Sequence, residues 1–230
     1  MNPRTIVVRG KRAEEQDMAP KAAAKETGTV GIAVDRLGTT QMLVPIVGTA
    51  PLIVHRWSEK AKKQMLDAQQ GKRAVKQHKD PEQDYQDSLY RTENGFGFPV
   101  LAFKAATVGA ARFYGKDVSM VMLRMAMYWD GVPSADRSQL LVPIEGEPKS
   151  REDMVRLSMS STDIRYRGEF LDWSAVLSVR FVSTALSQDS VLALIEAGGM
   201  AIGVGEWRPE KDGINGTYAI DQSRDIVIGE

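Results

Sequence analysis

The chain has 230 residues, no cysteine, and 30 basic against 30 acidic side chains, which leaves a formal net charge of zero. That composition excludes disulfides and thiolate metal sites, and it excludes capture of polyanions by an overall basic surface. No stretch approaches the roughly 20 apolar residues of a membrane span and the start of the chain has no apolar signal core, so a cytoplasmic protein with no membrane partner is expected.

At this length one domain with appendages is expected rather than two. Residues 1–38 read as an N-terminal arm: "GKRAEEQDMAPKAAAKETG" is charged and alanine-rich, and "TIVVRG" is a short strand able to add to a sheet edge. Residues 39–230 form the domain. Its first core strand is Met42 to Gly48, with Pro45 confining it to an edge, an end or a bulge. "TAPLIVHRW" continues extended. Ser58 then caps a helix in which Glu59 complements the dipole, Ala61, Met65 and Ala68 share a face, and Gly71 is the stop. From His55 to Lys79 eight basic residues face two acidic ones, and from Asp80 to Glu93 five acidic residues face one basic. Such a reversal suits either two solvated faces or two oppositely charged surfaces for self-association. With little apolar periodicity, residues from about 72 to 97 read as an insertion outside the core.

"GFPVLAFKAATVGAARFYG" is the second helix, with Phe103, Ala106, Ala110 and Phe113 at helical spacing, Gly115 at its end, and small residues that let another backbone pack closely. Val118 to Trp129 reads as helix turning into strand. "LLVPIEG", "MVRLSM" and "TDIRYRGEF" are strands, and in "DWSAVLSVRFVS" the residues Trp173, Ala175, Leu177, Val179 and Phe181 alternate onto one face. Ser187 caps a further helix stopped by Gly198 and Gly199, and "GTYAID" closes the core as a final strand.

Between those last two elements stands "GVGEWRPEKDGING", whose glycines Gly203, Gly205, Gly213 and Gly216 permit positive φ and close approach of the main chain. It is not a dinucleotide loop, because Arg208 and Pro209 occupy the place of the third glycine and the following helix start. The order strand, helix, insertion, helix, strands, helix, glycine-rich loop, strand describes an α+β fold, an elaborated ferredoxin-like (RRM-like) core. Three segments resemble the RAMP superfamily of CRISPR proteins, especially the backbone subunits that polymerise along guide RNA, and the chain also resembles a prophage-type family. "TAPLIV" resembles the family's strand-to-helix passage. "FPVLAFKAATVGAAR" resembles its I-P-x-x-S-L-K-G-x-x-R helix, with Lys104 and Arg112 as the basic members. "GVGEWRPEKDGINGTYAI" resembles its glycine-rich loop before a terminal strand. The resemblance spans about Leu43 to Asp221. It implies a binder of single-stranded RNA or DNA that needs no cofactor and forms a head-to-tail homo-oligomeric filament, with other effector subunits as further partners. In that setting the loop's backbone amides approach phosphates, Arg208 and Lys211 neutralise them, and Trp207 stacks on a base or fills a subunit seam. The alternative is that Trp207 plugs its own core and the glycines only shape a turn.

Beyond the resemblance, "VHRWSEKAKK" interleaves His55, Arg56 and Trp57 with a helix carrying Lys60 and Lys63, which suits a basic groove tracking a phosphate backbone. Its alternative is a solvated helix face with Trp57 in the core. Arg165 and Arg167 share one strand face and Tyr166 takes the other, which equally suits cross-strand pairing with acids. His55 and His78 have no H-x-x-x-H partner and no serine or cysteine nucleophile motif exists, so a non-enzymatic role is expected. Two alternatives are a metal-dependent ribonuclease built on Asp80, Asp84 and Asp87, and a phage structural protein that self-assembles without nucleic acid.

Overall fold

Residues 34, 36–72, 78–158 and 161–229 are described by a computed structural model. The "TIVVRG" strand expected in the arm, together with Arg73 and Lys76 of the basic block, lies outside them. In chain order the elements are β1 (Thr39–Gly48), β2 (Leu52–Val54), α1 (Glu59–Gln69), α2 (Pro81–Ser88), β3 (Phe96–Pro99), α3 (Val100–Gly109), α4 (Met120–Ala126), β4 (Met127–Asp130), β5 (Val132–Pro133), β6 (Leu140–Glu145), β7 (Pro148–Ser158), β8 (Ser161–Phe170), β9 (Ser174–Val182), α5 (Gln188–Ala201), β10 (Tyr218–Ile220) and β11 (Val227–Gly229). The α+β class expected from the sequence is what forms.

One sheet runs β10–β1–β9–β6–β3, with β11 beside β1, β4 beside β9 and β5 beside β6, and its ladders are antiparallel. Period-2 patterning orients it: Ala175, Leu177, Val179 and Phe181 of β9 and Met42, Val44 and Ile46 of β1 are buried, in one core with Phe103 of α3 and Val191, Leu194 and Ile195 of α5. A second sheet, β2–β8–β7, is built on the long hairpin that β7 and β8 form between β6 and β9. No helix among the described residues is long and apolar enough to cross a membrane.

Four local expectations are corrected. Pro45 sits not on an edge but in a central strand, between β9 and the β10–β11 edge. Its carbonyl accepts from the Asp221 N–H at the break between β10 and β11, so its missing N–H falls where the ladder is already interrupted. Gly198 and Gly199 do not stop α5, which runs through them to Ala201. A Cβ on Gly198 would lie 2.8 Å from the Ala106 backbone and one on Gly199 would lie 2.2 Å from the Tyr218 carbonyl, so both serve close packing of α5. Phe113 is 62% exposed, because α3 tightens into a 3-10 turn after Gly109 and the helical spacing no longer returns it to the core. Finally, the segment from Lys72 to Gly97 reaches the core: Leu89 is buried, and the Ser88 hydroxyl accepts from the Gly168 N–H at 2.8 Å, fastening α2 to β8.

Candidate functional site

The passage out of β2 is the first contributor. Leu52, Ile53 and Val54 are fully buried, and the chain then surfaces through half-buried His55 and Arg56 to Trp57, which is 57% exposed rather than in the core. Ser58 caps α1 as expected, its hydroxyl accepting from the Ala61 N–H at 3.1 Å, and Gly71 follows the helix with φ of 70°. No residue of α1 is buried, so Lys63 is solvated and Met65 and Leu66 are about half exposed. Arg56 is committed to Asp136 at 2.7 Å. Hydrogen bonds from Ser134 above all, then from Ser138 and Arg56, hold the Asp136 carboxyl well below the usual carboxylate range.

The second contributor is α3 and the turn after it. Lys104 donates to the Arg124 carbonyl at 2.9 Å, while Arg112, beyond the helix end, lies 3.6 Å from Glu210. The helix presents Ala102, Ala105 and Ala106 to the glycine-rich loop, and the absence of long side chains there leaves space.

The loop itself is fastened to the first contributor. The Gly216 N–H donates to the Pro51 carbonyl at 2.8 Å and the backbone N–H of Glu206 donates to the Ile53 carbonyl at 3.0 Å. Gly203, Gly205 and Gly216 have φ of 69°, 81° and 68°, and a Cβ on Gly216 would lie 1.7 Å from the Val204 carbonyl. Gly213 packs against the Trp207 backbone in the same way. Arg208 donates to the Gly205 carbonyl and, from Nε and Nη2, to Glu210. Arg112 and Arg208 therefore converge on one carboxylate, with Lys211 exposed beside them. Trp207 is 43% exposed although its φ is +55°, a region costly for a bulky side chain.

These segments meet at two adjoining clefts that share His55 and Glu206. The smaller, about 290 Å³, lies between α3 and the loop. The larger, about 750 Å³, lies between α1 on one side and α2 and β8 on the other, and takes in Trp57, Lys60, Lys79 and Arg165 but also Asp84, Asp87 and Asp163. At the shared wall Glu206 Oε1 is 3.7 Å from His55 Nδ1 and Glu206 Oε2 is 3.8 Å from Arg167 Nη2. His55 and then the Arg167 charge keep the Glu206 carboxyl below its ordinary value against an opposing cost of partial burial. Arg167 is almost wholly buried, bonded to Asp153 at 2.8 Å, with its Nε unpartnered, and Arg165 two residues away opens to the larger cleft.

Of the residues singled out in the sequence, His55, Arg56, Trp57, Lys60, Gly203, Gly205 and Arg208 line these clefts, while Lys63, Lys104, Arg112, Trp207, Lys211, Gly213 and Gly216 do not, although Arg112 reaches the lining residue Glu210. Sequence reasoning missed Glu206, Glu210 and Tyr90. The two glutamates were visible inside the quoted loop, alternating with Trp207 and Arg208, but only their fold-back onto His55 and Arg208 gives them a place. Asp80 is spent as the N-cap of α2 and Asp87 accepts from Gln83. Among the described residues no three His, Asp or Glu side chains come close enough to hold one metal ion, so Asp80, Asp84 and Asp87 do not assemble the metal cluster that the ribonuclease alternative requires. Comparison with protein-family models and with curated proteins finds no match for the chain.

Proposed function

We propose that the chain is a single-stranded nucleic-acid-binding protein that oligomerises along its ligand. The observation that carries the reading is the pair of exposed tryptophans. Trp57 and Trp207 stand on two segments that abut through His55 and Glu206, beside clefts that also carry Lys60, Arg165 and Arg208. Exposed indoles are stacking platforms for bases, and basic side chains next to them track a phosphate backbone. Trp207 strengthens the reading because its left-handed backbone is held in place without full burial of the ring in return. The strand order β10–β1–β9–β4, with α3 crossing from β1 to β4 and α5 from β9 to β10, supports a ferredoxin-like core of the kind the RAMP resemblance implies.

Anisotropy titration of labelled oligo-dT and oligo-rU between about 50 and 200 mM salt tests the proposal. Binding that weakens with a log–log slope of about −3, as four neutralised phosphates on a single strand would give, is the expected result. Absence of binding to both strands at the lowest salt would sink it and leave self-assembly without nucleic acid as the surviving account.

A further inference from the structure

The smaller cleft pairs an apolar wall with a polar rim. One part of its lining is apolar, with Tyr90, Pro99, Ala102 and Ile202 in it and Phe98 edge-on to Tyr90 at 5.5 Å between ring centroids, and the other part is polar, with His55, Glu206, Arg208 and Glu210. An unstacked base is stabilised by entering such a space when its ring meets the apolar part and its polar edge meets partners at the rim.

The rim supplies one uncommitted acceptor. Glu206 has its two oxygens 3.7 and 3.8 Å from His55 and Arg167, beyond hydrogen-bonding distance, so both keep accepting capacity. Glu210, the other carboxylate on this cleft, accepts both Arg208 bonds on Oε2 and so has one oxygen free of hydrogen bonds where Glu206 has two. An ionised carboxylate accepts and does not donate, and its two oxygens match two adjacent N–H donors. On the Watson–Crick edge only guanine offers two such donors side by side, N1–H and N2–H. Uracil and thymine present one N–H between two carbonyls, and adenine and cytosine present one amino group beside an acceptor nitrogen.

We infer that the cleft between α3 and the glycine-rich loop receives one unstacked guanine base, whose N1–H and N2–H donate to Glu206 while the ring lies against Tyr90, Pro99 and Ile202. The inference rests on the nucleic-acid reading and adds base preference to it, making Glu206 the specificity-determining residue.

The test compares strands of roughly 15 nucleotides, within the length one binding module covers, made of dT or rU throughout or carrying a single central guanine, adenine or cytosine. For the wild-type chain the guanine strand is expected to bind at least about fivefold tighter than the other three, the lower end for one bidentate base contact. That ratio should fall to near one in Glu206→Gln. It should fall likewise in Ala105→Leu, which fills the cleft from an exposed position on α3 where folding is not at stake. Equal wild-type binding of all four strands would overturn the guanine site while the nucleic-acid reading stands. A guanine preference that survives both substitutions would overturn the placement at Glu206, and failure to bind any strand would overturn both readings together.

Discussion

Trp57 and Trp207 are the residues on which the functional reading is most exposed to measurement. Replacing either by alanine should weaken binding of oligo-dT or oligo-rU by about 1 to 3 kcal/mol, the range for one base stacked on one aromatic ring, with little change in salt slope. A loss confined to thermal stability would return both rings to a structural role. Asp136 makes a different prediction, because its partners are all protein groups. Its carboxyl is depressed in the folded chain, so its contribution to stability is present above the ordinary aspartate value of 3.8 and is lost as pH falls below it. The unfolding midpoint of Asp136→Asn should therefore lie below that of the wild-type chain by a constant margin from neutral pH down to about 5, and the margin should shrink in more acid solution. A margin that is flat to the lowest pH would mean the Ser134, Ser138 and Arg56 contacts do not act through the charge.

At the scale of elements, the loop and α1 behave oppositely. The loop is over-determined: it is bonded to Pro51 and Ile53, and Gly216 has no room for a Cβ. Gly216→Ala combines positive-φ strain with a backbone clash and should cost at least about 2 kcal/mol in denaturant unfolding. Helix α1 has a good N-cap but no buried residue, and 11 residues are too few for a helix to be stable by itself in water. Its amides should exchange with solvent much faster than those of α5, whose Val191 and Ile195 are fully buried, and an oligonucleotide lying in the larger cleft should slow them. Both elements were legible in the sequence as elements. Ser58, Gly71 and the spacing of Ala61, Met65 and Ala68 announce α1, and four glycines in fourteen residues announce the loop. Neither pattern tells that α1 stands off the body, because periodicity marks an apolar face without saying whether anything meets it.

For the whole molecule, equal numbers of acidic and basic residues mean that subunits can accumulate along a polyanion without building up positive charge. Purified protein should therefore elute as a large particle with a raised ultraviolet absorbance ratio when it carries nucleic acid, and collapse in size after nuclease treatment. A particle equally large after nuclease, and free of nucleic acid, would show that protein contacts alone hold it. Parts of the two charge blocks meet across one cleft, with Lys60 on α1 opposite Asp84 and Asp87 on α2. Adjacent charge blocks in sequence thus became facing ones, a mixed lining rather than a basic groove.

What the sequence by itself determined is whatever depends on near neighbours. The caps at Ser58 and Ser187, the alternation of β9, the turn of helix into strand around Met127 and the α+β class all follow from local periods of 3.6 and 2 and from turn chemistry. What only the tertiary structure decided depends on residues brought from far apart. The break between β10 and β11 makes room for Pro45, and the packing of α5 on Ala106 and Tyr218 carries the helix through two glycines. The meeting of His55, Glu206 and Arg167 across some 150 residues of chain, the two clefts it divides, and the commitment of Arg56 and Arg112 to carboxylates belong to the same class. Charge and shape at a site are sums over such long-range neighbours, and no local pattern encodes them.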